Sequence, residues 1–180
     1  MLERMNSISQ ERLPFWRARF EVAALLTCAI GCAGGETVTP EAVDLARRLW
    51  TKASIRDYDL DWTVRGRNNA HYLATVRDGE VRKLKSIAPN GATGELRPVD
   101  REYYSVDGLF RTMADDLAML NSDRPFGEPK GTKVVMRFQP DSRLGYPHFY
   151  RRDVLGTSLS ISIEVNSLTR VPGASAAREP

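Results

Sequence analysis

"DYDLDWTV", Asp57–Val64, alternates without a break: Tyr58, Leu60, Trp62 and Val64 are apolar or aromatic, while Asp57, Asp59, Asp61 and Thr63 are polar. Successive side chains of a strand point to opposite faces, so this segment predicts a strand with one buried side and one acidic, water-facing side. Such clean alternation belongs to sheets covered on one face only; strands buried on both faces read as continuous apolar runs. Aspartates on alternate positions also occur in calcium loops, but those loops require a glycine turn and a terminal acid. A solvated strand face is the reading taken.

Downstream, "HYLATVRDGEVRKLKSI" (His71–Ile87) predicts a hairpin. Asp78-Gly79 supplies the positive φ values of a two-residue turn, and the expected pairs are Val76 with Val81 and Leu73 with Leu84. Gly66 in "RGRNNA" marks the preceding turn, so three strands should form an antiparallel meander. Residues 88–101, with Pro89-Asn90-Gly91, read as a loop.

Upstream, Thr39-Pro40-Glu41 reads as a helix start, with Thr39 as N-cap and Pro40 at the first helical position. Ala42, Leu45, Ala46, Leu49, Trp50 and Ala53 form the expected buried stripe. A second helix starts at Ser105, with Val106, Leu109, Phe110, Met113, Leu117 and Leu120 inward and Arg111, Asp115 and Asp116 facing water. After a loop at 121–132, strands are expected in "KVVMRF", in "HFYRRDVL" and in "SLSISIEV", where Leu159, Ile161, Ile163 and Val165 alternate with polar residues. The order α-β-β-β-α-β-β-β predicts a two-layer α+β fold: a mainly antiparallel sheet of about six strands with two helices on one face.

Bulk properties agree with a single globular domain. The chain has 180 residues, 42% hydrophobic and 27% charged, with a net charge of +3. That charge is small and evenly mixed, whereas nucleic-acid binders concentrate a basic stripe; no nucleic-acid partner is expected.

The amino-terminal segment has a different grammar. Arg12, Arg17 and Arg19 precede an uncharged run from Val22 to Gly31, followed by small residues. This is the layout of a secretory signal peptide, and the run is too short to span a bilayer. Both cysteines, Cys28 and Cys32, lie here. Ala29-Ile30-Gly31-Cys32 resembles a bacterial lipobox, in which the cysteine is lipidated and becomes the new amino terminus. The competing readings are a plain signal peptide cut near Ala33 and an amphipathic helix. Spacing and ligand count argue against a redox pair or a zinc site. The expected organisation is a lipoprotein-type signal peptide over 1–31, a lipidated tether over 32–38, one domain over 39–171 and a disordered tail over 172–180.

Several motifs in order resemble a bacterial family known as domain of unknown function 6174. They are Tyr58-x-Leu60-x-Trp62, Val76-Arg77-Asp78-Gly79, Ser105-Val106-Asp107-Gly108-Leu109-Phe110 and Gly145-Tyr146-Pro147, spread over residues 40–168. The resemblance implies a secreted or lipid-anchored protein and brings no activity with it. Many members carry a cysteine pair just after the first strand, where this chain has Arg65-Gly66-Arg67, so any role of that pair is absent here.

Catalytic signatures are sparse. Only His71 and His148 offer imidazoles, no serine sits in a G-x-S-x-G elbow, and no glycine-rich phosphate loop opens a helix. No cofactor is expected. In "LGYPHFYRRDVLG", His148, Tyr150 and Arg152 project from one strand face beside Tyr146, a combination suited to an anionic group. The competing reading pairs Arg151 or Arg152 with Asp141, Asp153 or the acidic first strand, and sends the aromatics to the core. The expectation is an envelope lipoprotein, held to the membrane by lipid on Cys32, whose domain binds an envelope protein or a small anionic ligand. The alternative is an extracytoplasmic hydrolase-like enzyme using Tyr146–Arg152.

Overall fold

The structure, a computed structural model, describes residues 35–172 apart from Asn68 and Pro98. The expected leader, Cys32 and residues 173–180 lie outside the described residues. Glu36–Thr37 forms strand β1, paired with Phe138 and Arg137, and Val38 is buried with its N–H donating to the Met136 carbonyl. Residues 36–38, expected in a tether, are therefore part of the fold. Helix α1 (Pro40–Ala53) follows, then β2 (Tyr58–Gly66), β3 (Ala70–Arg77), β4 (Glu80–Ile87) and β5 (Thr93–Glu95). A 3-10 turn (Arg101–Tyr104) leads into α2 (Val106–Met119), and β6 (Val134–Pro140), β7 (Pro147–Val154) and β8 (Ile161–Arg170) complete the chain.

The fold is α+β, but the sheet has eight strands rather than six, in the order β1-β6-β7-β8-β2-β3-β4-β5, with every pair antiparallel. The additional strands are its two short edges. Two or three residues carry no measurable period, so pairing with a neighbour, not side-chain pattern, creates them.

Local chemistry explains the elements. Thr39 accepts the Ala42 N–H at 3.2 Å and Ser105 accepts the Gly108 N–H at 3.1 Å, so both helices begin on their expected caps. Asp78 and Gly79 take φ of 55° and 80°, the backbone of a twisted two-residue hairpin turn. Val76 pairs with Val81 as expected, but Leu73 faces Lys85, and Leu84 faces Ala74. Arg82 is the extra residue of a bulge on β4, which shifts the register by one. The last strand also starts later than its alternation suggests. Leu159 stands outside β8, and Asn166 forms a second bulge opposite the Asp61–Trp62 step.

Both helices cover one face. Trp50 of α1 meets the Tyr58 ring edge-on at 5.5 Å, a contact worth about 0.5–1.5 kcal/mol beyond area burial. The Tyr58 hydroxyl accepts the Val106 N–H at 3.0 Å, satisfying an otherwise orphaned amide at the start of α2. Burial pushes that phenol up to about 12. Helix α1 is rotated from its expected setting: Val43, Ala46 and Trp50 are buried, while Leu45 and Leu49 are 57% and 40% exposed. On α2, Leu120 caps the helix and is exposed, and Asp116 is buried instead of facing water. The other face of the sheet carries no described helix. Asp59, Asp61 and Thr63 of β2 lie there, with Lys83 and Lys85 of β4.

Candidate functional site

The four residues singled out around β7 do not converge on one cavity. Tyr146 is half-buried with its ring 6.4 Å from Trp50, and its hydroxyl pKa is raised, mainly by burial. His148 is exposed. Tyr150 and Arg152 do meet, on the helix-covered side, at Asp116 of α2. The Tyr150 hydroxyl donates to Asp116 Oδ2 at 2.5 Å, and Arg152 Nη1 donates to Oδ1 at 2.6 Å. Arg152 thus has an acidic partner, as one sequence reading proposed, but the partner comes from the second helix. Arg151 pairs with Asp153 at 2.8 Å.

This network is closed. The Arg152 and Asp116 side chains are only 14% and 8% exposed. The Phe126 ring lies 3.8 Å from the Arg152 guanidinium carbon, a desolvated cation–π contact. The loop carrying Phe126 holds its own shape: Glu128, itself buried, accepts the Phe126 N–H at 2.8 Å, and Arg124 Nε donates to the Glu128 carbonyl at 2.6 Å. Burial raises the Asp116 pKa, against the opposing pull of Tyr150 and Arg152, and burial likewise raises the Tyr150 phenol. Arg152 Nε is buried without a hydrogen-bond partner among the described residues, but Nη1, the phenol and both carboxylate oxygens are engaged under an aromatic roof, and the arrangement ties β7 to α2. It presents no face to a substrate.

The open side of the sheet carries a second carboxylate-centred cluster. His71 Nε2 lies 2.6 Å from Asp61 Oδ1, and Asn166 Nδ2 donates to the same oxygen at 2.6 Å. Facing a carboxylate, Nε2 carries the imidazole proton. The bulge at Asn166 brings that amide onto Asp61. The His71 and Asp61 side chains remain 32% and 30% exposed, so this cluster is reachable. Beside it lie two hollows. One, of about 420 Å³, is floored by Leu73 and Thr75 between Asp59, Asp61, Lys83 and Lys85. The other, of about 560 Å³, is lined by Thr63, Arg65, Asn69, His71, Ile87 and Pro89. Both volumes suit small-molecule sites.

Two of these participants had readable signals. Asp116 stands three residues after Met113, on the apolar stripe of α2 rather than opposite it. Thr63 and His71 are direct cross-strand partners, so the meander alone places His71 near Asp61. Asn166 had none, because the bulge that delivers it depends on pairing with β2.

No protein-family profile matches the chain, and no curated protein matches it. Among solved structures, the chain is similar to one described as the crystal structure of MucB, at 12% identity and a TM-score of 0.43, over 79% of this chain and 64% of that one. The chain therefore spans less than two thirds of that structure's length.

Proposed function

We propose that this is an exported envelope protein, anchored by lipid on Cys32, whose folded domain is a non-enzymatic binding module that uses the open face of its sheet. The charged-then-apolar leader and the lipobox-like Ala29-Ile30-Gly31-Cys32 support export and anchoring. Membership of the domain of unknown function 6174 family belongs to the same reading and rests on the motifs quoted above.

The observation that carries the binding reading is the asymmetry of the sheet. Both described helices cover one side, while the other presents half-exposed polar clusters and two shallow hollows. The hydrolase-like alternative draws no support from Tyr150 and Arg152, whose hydroxyl and Nη1 engage Asp116 under Phe126.

The anchor is tested by intact-mass measurement of protein purified from its native membrane. The expected species begins at Cys32 and carries acyl mass; a full-length, unmodified chain overturns the anchor. A Cys32→Ala variant is expected to leave the acylated membrane fraction.

A further inference from the structure

The hollow at the turn end of β2 and β3 differs in charge from others on the surface. Its lining residues include Arg65, His71, Asn69 and Thr63 but no carboxylate. Three other hollows each mix acids with bases: Glu80, Glu102 and Asp107 with Arg82, Arg101 and Arg111 in one, Asp59 and Asp61 with Lys83 and Lys85 in the second, and Asp44 with Arg47 and Arg48 in the third. From this hollow's composition and its surroundings we infer that it is a binding site for a small organic anion, a carboxylate or phosphate monoester on a compact apolar body. This rests on the open-face reading above and not on the lipid anchor.

Four features support the assignment. First, Arg65 is exposed, and among the described residues its guanidinium makes no ion pair or hydrogen bond. A guanidinium offers a planar fork of donors matched to carboxylate and phosphate oxygens. Second, Asn69 on the same wall is exposed, and its Oδ1 accepts the Gly66 N–H at 3.0 Å, which holds its amide at the hollow. Third, His71 is held by Asp61, and Asp61 by Asn166, so the ring is fixed as a wall of the hollow before any ligand arrives; with its proton turned to Asp61 it contributes shape rather than a donor. Fourth, the remaining wall, formed by Val64, Ala70, Ile87, Ala88 and Pro89, is apolar, which favours a ligand with a hydrophobic body over a bare inorganic ion.

Three arginines lie in a row across the open face. Across the open face, Arg137 of β6 pairs with Arg151 of β7, Arg151 with Ser162 of β8, and Ser162 with Arg65 of β2. Like charges directly opposite each other destabilise a sheet pair, so Arg137 facing Arg151 is not explained by strand pairing. Asp153 pairs with Arg151, Glu164 stands opposite Thr63 and Asp61 holds His71, so these three acids offset the row as a whole and Arg65 is the cation at the hollow itself.

The test is titration of the purified chain with phenyl phosphate and with benzoate, read by amide chemical shifts, alongside phenol and inorganic phosphate. Saturable shifts are expected at residues 63–71 and 87–91 with at least one of the two organic anions. Phenol and inorganic phosphate should bind about tenfold more weakly, because each lacks one half of the recognition. Arg65→Gln should weaken the organic anion about tenfold, and Lys83→Gln in the neighbouring hollow should leave it unchanged. Arg65 is exposed, so its replacement leaves the fold intact. Equal binding of phenol, unchanged affinity in Arg65→Gln, or the absence of saturable binding overturns the site. Shifts confined to the Lys83–Lys85 hollow also overturn it while leaving the open face as the binding surface. Shifts confined to the helix-covered side overturn both readings.

Discussion

Asp116 and Asp61 lie on opposite sides of one sheet, and each accepts two side-chain hydrogen bonds of 2.5–2.6 Å from β-strand residues. The difference lies in what surrounds them. Asp116 has an arginine and a phenol as partners, 8% side-chain exposure and an aromatic ring over the arginine. Asp61 has an imidazole and an amide, keeps 30% exposure and borders open hollows. Low dielectric makes the first cluster costly to break and unable to receive anything. Exposure makes the second cheap to break and free to meet a ligand. Geometry at the carboxylate is nearly the same; burial separates a structural tie from a cluster that stays reachable.

The largest expected effect comes from breaking the buried cluster. Arg152→Ala leaves Asp116 without its cation and should cost about 3–5 kcal/mol in urea unfolding. The same cluster predicts a pH signature. Because the folded-state pKa of Asp116 is raised by burial, the folded chain holds that proton more tightly than the unfolded chain. The stabilisation this contributes is complete below the ordinary carboxylate range and is lost as pH rises through the raised value. Asp116→Asn, which cannot titrate, should flatten that part of the stability–pH profile. An unchanged slope would show that Asp116 is not the titrating group.

Gly108→Ala sharpens the contrast between local preference and packing. Alanine is favoured over glycine inside a helix by about 1 kcal/mol. Here, however, its Cβ would stand 2.2 Å from the Glu102 carbonyl oxygen and 2.4 Å from the Tyr103 carbonyl carbon. Neither backbone atom can swing away, so the substitution should cost about 1–3 kcal/mol, read as a lowered Tm. Stabilisation would mean that the 3-10 turn does not pack against α2.

The smallest effect is expected on the open face. His71→Gln or Asp61→Asn should change stability by less than about 1 kcal/mol, since a half-exposed pair is screened by water. A loss as large as that of Arg152→Ala would erase the distinction between the two clusters.

Much of the fold was legible in particular residues. Thr39-Pro40 and Ser105 marked both helix starts, Asp78-Gly79 marked the hairpin, and the alternation in Asp57–Val64 assigned the right faces of β2. Two motif glycines also have a readable cause. Gly145 adopts φ of +79°, and a Cβ there would lie 2.3 Å from the Ala46 carbonyl oxygen of α1, while Gly108 admits the 3-10 turn. The candidate site was less legible. Tyr150 and Arg152 were correctly placed on one strand face, yet alternation cannot say that a helix covers that face and supplies Asp116.

What the sequence determined by itself is the kind and order of the main elements, because period, caps and turn chemistry act within a few residues of chain. What only the tertiary structure decided is everything set by contact between distant segments. The edge strands β1 and β5 exist through their partners, and the bulges at Arg82 and Asn166 shift register through theirs. The rotation of α1 that buries Val43 and exposes Leu45 places Trp50 against Tyr58 and Tyr146, and Ala46 beside Gly145. Hydrophobic patterning defines an apolar arc, but which edge of that arc turns inward is fixed by the shape it must fill.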